Sequence, residues 1–200
     1  MKVGMRSATA DDAAVIESSW REPERFAVLF DRHAPHIYRY LARRAGRQVA
    51  DDLVAETFMA AFAKRDRYDL GHADARPWLY GIATNLVGQH RRDEARQYRI
   101  RQAAAAEPVV PGHAERVAAD VTAQAMRTLL DAALAALPAG DRDVLLLIAW
   151  EQLTYQEVSR ALAIPVGTVR SRLHRARTKV RQVLAGTDAA ATYEEITTNE

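Results

Sequence analysis

Between Arg25 and Leu41 the apolar positions recur three and four residues apart. Phe26, Leu29, Phe30, His33, Ile37 and Leu41 share one face, the period of a half-buried helix. Pro35 lies inside the stretch and predicts a kink or a division, because it lacks an amide and its ring meets the preceding turn. A second helix is predicted over Asp51–Arg65, with Ala55, Phe58, Met59 and Phe62 as its apolar stripe. "RYDLGHADARP" reads as a loop closed by Pro77 at a helix start. From Trp78 a third helix is predicted through "WLYGIATNLVGQHRRDEAR", with Trp78, Ile82 and Leu86 facing inward and Leu79 beside them.

The pattern then breaks. "RQAAAAEPVVPGHAERVAAD" holds two prolines, a glycine and an alanine tract, the composition of a linker that is helical only at its ends. Apolar spacing resumes in "AMRTLLDAALAAL", ended by Pro138, and in "GDRDVLLLIAWEQ", opened by Asp141. "TYQEVSRALAI" predicts a short helix capped by Thr154, and Pro165 marks a break before a last helix. In that helix Val169, Leu173, Ala176, Val180 and Leu184 form the inward stripe. A short helix, a tight turn at Ala163–Pro165 and a longer helix make a helix-turn-helix. No strand pattern or repeat is visible.

The expected fold is therefore all-α: two small helical domains, 23–100 and 125–186, joined by a flexible linker over 101–124. Residues 1–22 read as a mobile arm with a turn of helix in "DDAAVIESSW". Residues 187–200 carry four acids and no base, and read as a disordered tail.

Charge changes the picture in one place. The formal net charge is only +2, from 28 basic and 26 acidic residues. Yet Val166–Leu184 carries six cations (Arg170, Arg172, Arg175, Arg177, Lys179 and Arg181) and no carboxylate. Such a helix repels itself unless something outside it supplies counter-charge. Nucleic-acid phosphates would do so. The helix N-terminus at Gly167–Thr168 offers amides to a phosphate, and outward arginines can fork onto guanine in a major groove. Arg175, with His174 and Ser171 near it, is expected to reach base edges. Arg177 and Lys179 are expected to meet phosphates or solvent.

Two other stretches stand out. Trp78 and Tyr80 precede Asn85, Gln89, His90, Arg91 and Arg92. Interleaved aromatic and basic residues suit unpaired bases and their backbone, and equally suit an ordinary amphipathic helix with a core tryptophan. Asp51, Asp52 and Glu56 read from spacing alone as acids that complement a helix dipole.

Several chemistries are excluded or unsupported. There is no cysteine, so disulfides, thiolate metal sites and thiol redox chemistry are absent. His33 and His36 stand at i,i+3 without a third ligand nearby, so no metal site is expected. No phosphate-cradling glycine loop, His–Glu metal motif or catalytic triad appears, so no catalytic residue, no cofactor and no enzymatic activity are expected. With no signal-peptide run and no stretch near 18 apolar residues, the expected location is the cytoplasm.

Both basic stretches, in order, resemble one family: the extracytoplasmic-function sigma factors of bacterial RNA polymerase. "FDRHAPHIYRYLARR" is similar to the first helix of their region 2, and "DDLVAETFMAAF" to the core-binding helix. "RPWLYGIATNLVGQHRR" is similar to the segment that melts the promoter and reads the −10 element. "LPAGDRDVLLLIAWEQLTYQEVSRALAIPVGTVRSRLHRAR" is similar to region 4, which reads the −35 element. The likeness runs from about Arg25 to Leu184.

The resemblance implies a transcription initiation factor whose partners are core polymerase and promoter DNA, with an anti-sigma factor as a further candidate. Asp51, Asp52 and Glu56 fall on the face that meets the clamp helices of the largest polymerase subunit. The flap of the second-largest subunit is a second implied contact. Trp78, Asn85, Gln89, His90, Arg91 and Arg92 fall on the −10 segment, and Tyr68–Arg76 on the loop that traps a flipped-out base. Thr168, Arg170, Ser171, His174, Arg175 and Arg177 fall on the −35 helix. Ala163 stands where the family often has glycine, which costs something if the turn needs positive φ. Fully extended, Arg101–Gln124 reaches about 80 Å at ~3.3 Å per residue, enough for two DNA turns of about 70 Å. A different class, a helix-turn-helix regulator binding an operator without polymerase, uses the same C-terminal residues. An RNA-binding adaptor is a third class.

Overall fold

The computed structural model of the chain describes residues 11–104 and 121–185, with side chains over 11–102 and 128–185. Every regular element among them is helical: α1 (Asp12–Ser18), α2 (Ala27–Ala45), α3 (Arg47–Ala63), α4 (Arg76–Ala104), α5 (Val121–Ala135), α6 (Ala139–Ala149), α7 (Tyr155–Leu162) and α8 (Val166–Ala185). Short 3-10 turns lie at Pro23–Phe26 and Arg65–Arg67. The chain divides into two compact units, one built largely from residues up to Asp93 and one largely from Glu94 onward. Residues 1–10, 105–120 and 186–200, which hold the start of the expected arm, most of the expected linker and all of the expected tail, lie outside the described residues. The linker expected over 101–124 is helical at both ends, since α4 runs to Ala104 and α5 begins at Val121. Helical residues rise ~1.5 Å each, which shortens its greatest reach to about 65 Å, so the linker alone falls short of the two DNA turns of about 70 Å that its sequence length suggested.

In the first unit, Gly46 at φ 87° ends α2 and starts α3 at once. Only glycine takes that conformation freely, so α3 begins four residues before the expected Asp51. Leu29, Ile37, Tyr40 and Leu41 of α2 meet a core shared with Ala50, Leu53, Val54, Phe58 and Ala61 of α3 and Leu79, Tyr80, Ala83 and Val87 of α4. The buried stripe of α3 differs from the expected one: Phe58 is buried, but Ala55, Met59 and Phe62 are exposed. Small residues, with Thr57 returning its hydroxyl to the Leu53 carbonyl at 2.6 Å, take the core side. On α4 the inward face is turned by one residue from the expected Trp78, Ile82 and Leu86, which are half-buried.

Phe30 is 44% exposed, although its edge meets Phe58 at 4.9 Å between ring centres. Pro35 does not divide α2. It lies on the exposed side, where water can reach the carbonyl its missing amide leaves open. A buried polar chain joins α2 to α4. Arg44 donates to the Tyr40 hydroxyl at 2.7 Å, and that hydroxyl lies 2.7 Å from Thr84 Oγ1.

The expected mobile arm is folded from Asp11 onward. Asp11 caps α1 by accepting from the Ala14 amide at 2.8 Å, and Ala13, Val15 and Ile16 are buried. Asp12 is buried too. Burial alone would raise its carboxyl, but hydrogen bonds from His33 and Ala75, the His33 charge and Arg32 outweigh it and hold the pKa at about 2, from an ordinary 3.8. A depressed carboxyl stabilises the fold above its unfolded value and loses that contribution as pH falls through the folded one. The Tm advantage of wild type over Asp12→Asn is therefore expected in full above about pH 4 and to vanish towards pH 2, as thermal melts across that window would read.

In the second unit α8 packs on α5 and α6. Val144, Leu147, Val158, Val169, Leu173 and Ala176 form the core, so the inward stripe expected for α8 is buried in its first half. Arg142 closes the end of α5, donating to the Leu137 carbonyl at 2.9 Å. Thr154 and Glu157 cap α7 reciprocally: the Thr154 amide and hydroxyl reach Glu157 Oε2 at 2.7 and 2.8 Å, and the Glu157 amide reaches Thr154 Oγ1 at 3.3 Å. Ala163 sits in the turn at φ 51°, the left-handed region that penalises a Cβ. Ala163→Gly is expected to stabilise the protein by about 0.5–1 kcal/mol, the strain relieved less the added freedom of the unfolded chain, measured by urea denaturation.

Candidate nucleic-acid interface

Most of the outward face expected on α8 is present. Arg170, Ser171, His174 and Arg177 are exposed, with Ser171 returning its hydroxyl to the Thr168 carbonyl at 3.1 Å. The preceding turn aims this helix: the Ile164 amide donates to the Ser159 carbonyl at 3.1 Å, and Ser159 Oγ to the Ile164 carbonyl at 2.5 Å. Two expectations change. The Thr168 amide is spent on the Pro165 carbonyl at 2.8 Å, not left open for a phosphate. Arg175 also has an acid partner inside the protein. Its Nε and Nη2 meet Asp141 Oδ2 and Oδ1 at 3.0 and 2.9 Å, and this bidentate pair raises its pKa further. Asp141 is only 5% exposed and lies in the first turn of α6. The sequence showed it as a helix opener. Its role as counter-charge, 34 residues from Arg175, had no local signal.

On α4, Asn85, Gln89 and Arg92 are exposed at i, i+4 and i+7, so they share one face. His90 is half-buried. Arg91 points back into the fold and donates to the Arg44 carbonyl at the end of α2, which separates it from that outward face. Trp78 is half-buried with its ring 5.0 Å from that of Tyr68. Tyr68 donates its hydroxyl to the His72 carbonyl at 2.6 Å. Burial, then the nearby charges of Asp12 and Asp74, push that hydroxyl well above its ordinary pKa, so it stays a neutral donor. Asp74 caps α4 through the Arg76 amide at 2.9 Å.

Asp51, Asp52 and Glu56 are exposed on α3. Because α3 starts at Arg47, none of them stands in its first turn, and the helix-dipole reading loses its basis. Met59, one turn beyond Glu56, is 63% exposed, and Phe62 is 36% exposed with its ring 5.4 Å from that of Phe26. Sequence reasoning had placed Met59 and Phe62 in the core. Of the two histidines, His33 Nε2 lies 2.8 Å from Asp12 Oδ2 and His36 Nδ1 lies 2.6 Å from Arg39 Nη2.

A helix-turn-helix with a basic outer face, in one chain with a second helical unit bearing its own polar-basic helix, defines a two-domain nucleic-acid-binding protein. Residues 29–97 match the family described as Sigma-70 region 2, and residues 127–180 match Sigma-70, region 4. The chain is 36% identical over 190 residues to the ECF RNA polymerase sigma factor SigE of Mycolicibacterium smegmatis, covering 89% of this chain and 65% of that protein. It is 34% identical over 161 residues to the RNA polymerase sigma factor CarQ of Myxococcus xanthus, covering 80% of this chain and 88% of that one. The sigma factor RpoE of Bartonella quintana, solved in complex with the anti-sigma factor NepR, shares the fold at TM-score 0.59 and 24% identity, over 80% of this chain and 97% of that one. The chain belongs to the sigma-70 family, among its extracytoplasmic-function members.

Proposed function

We propose that this chain is a promoter-specificity factor. It binds core RNA polymerase in the cytoplasm, carries it to a promoter and helps open the DNA, without catalysis of its own. The observation that carries this reading is the exposed Arg170, Ser171, His174 and Arg177 face of α8, set on a helix-turn-helix in a chain of this family. On this reading α8 lies in the major groove of the −35 element. Asn85, Gln89 and Arg92 on α4 meet the −10 element, and the loop Tyr68–Ala75 takes the displaced base. Asp52, Glu56, Met59 and Phe62 on α3 meet the polymerase. Family membership, the acidic–apolar face and the absence of a membrane-length apolar helix among the described residues support this assignment.

Run-off transcription with core polymerase on genomic fragments tests it. Discrete start sites preceded by a shared pair of sequence elements are expected only when the chain is added. No transcript from any fragment would sink the reading.

A further inference from the structure

Asp12 has a role in the structure that its position near the start of the chain does not suggest. Its carboxylate is 8% exposed and accepts from three partners. Oδ1 takes the Arg32 guanidinium at 2.9 Å. Oδ2 takes His33 Nε2 at 2.8 Å and the backbone amide of Ala75 at 2.9 Å. Asp12 also donates its own amide to the Ala73 carbonyl at 2.9 Å. One residue of α1 thus holds two points of the loop that precedes α4, and Arg32 and His33 tie the same carboxylate to α2.

The rest of the loop is braced from within. Asp69 Oδ1 accepts the Gly71 amide at 3.0 Å, and the Asp69 carbonyl accepts the His72 amide at 3.1 Å. Tyr68 closes on His72, and its ring lies tilted, 5.0 Å from that of Trp78 at the start of α4. These internal bonds fix the loop's shape. The Tyr68–Trp78 contact ties the Tyr68 end to the start of α4, and the Ala73–Ala75 end is held to the rest of the domain by Asp12. Ala75 is fully buried, whereas Asp69, Gly71 and Ala73 are exposed, so the rim faces outward from an anchored base.

We propose that Asp12 is a positioning residue for −10 recognition: it sets where the rim of the loop Tyr68–Ala75 stands relative to the outward face of α4. The proposal rests on the assignment of that loop and helix to the −10 element. A pocket that takes one base must be held to within a fraction of an ångström, by groups locked from behind. A buried carboxylate bonded to a backbone amide of the loop is such a lock, because the amide cannot move without leaving a buried charge short of a donor.

The test uses holoenzyme assembled with wild type, Asp12→Asn, Asp12→Glu and Arg32→Leu, on a library of −10 variants behind one fixed −35 element. Asp12→Asn removes the charge. Asp12→Glu keeps it but lengthens the anchor, and reads the same effect should the first variant fold poorly. Arg32→Leu loses a bond to Oδ1 and leaves the loop contact at Oδ2. Both Asp12 variants are expected to lose about fivefold or more of the preference at one −10 position, the lower end of what one read base contributes, with unchanged core affinity and −35 preference. Arg32→Leu is expected to keep the wild-type profile. A full −10 preference in both Asp12 variants, with only the Tm lowered, overturns the proposal. So does an equal loss in Arg32→Leu, which would mean general loosening. A wild-type holoenzyme with no −10 preference sinks instead the reading beneath it.

Discussion

Reversing Asp52 and Glu56 together to arginine is expected to weaken association with core polymerase by at least about thirtyfold, the lower range for misplaced charge in a desolvated interface. Both side chains are exposed and neither stands in the first turn of α3, so the fold has little reason to suffer. A titration of labelled protein with core polymerase, beside thermal melts of the free protein, separates the two effects. Met59→Ala is expected to add to the loss, because a side chain 63% exposed in the free protein has apolar area left to bury. Wild-type affinity in the double reversal would leave these acids as ordinary surface charge.

The second large effect is expected on α8, where the structure redistributes the roles of the cations. His174→Ala and Arg170→Ala, at outward positions one turn apart, are expected to relax preference at single −35 base pairs, each such contact being worth about 1–3 kcal/mol of discrimination. Arg177→Ala is expected to weaken all sequences alike and to lower the salt slope by about one. Arg175 answers differently from a simple base reader. Arg175→Ala strands the buried Asp141, so the expected result is a lower Tm of the free protein along with weaker DNA binding. Arg175→Ala combined with Asp141→Ala should recover part of that stability, since the cost comes from the buried Asp141 left without its partner. Binding to a −35 library at several salt concentrations, with melts of each variant, reads all of these. Even loss across the library for every variant would reduce α8 to an electrostatic anchor.

The helices themselves were legible because their apolar spacing is regular and their ends carry chemistry: Pro138 before α6, the Thr154–Glu157 box on α7, Pro165 before α8. What misled was size. Met59 and Phe62 looked like core and are exposed, while Ala50, Thr57 and Ala61 are buried. Where helices approach closely the small residues win the inside, and periodicity alone does not choose between two neighbouring faces. The partners of charged groups were illegible for a different reason. Asp12 with Ala75, Arg91 with Arg44 and Arg175 with Asp141 are pairs 63, 47 and 34 residues apart, which no window along the sequence can bring together. The outward positions Asn85, Gln89, Arg92, Arg170, Ser171 and His174 were legible because they are what remains once a stripe is assigned to the core.

On the proposed function, one chain works with core polymerase at two DNA elements and helps open the duplex near the start site. Permanganate footprinting on a promoter found by run-off transcription tests it most directly, in reactions with core alone, the chain alone and both together. Reactive thymines near the start site are expected only with both present, and are expected to be lost in Asn85→Ala with Gln89→Ala. Strong protection of a single patch by the chain alone, with no reactive thymines when core is added, would contradict it and mark an operator-binding regulator instead.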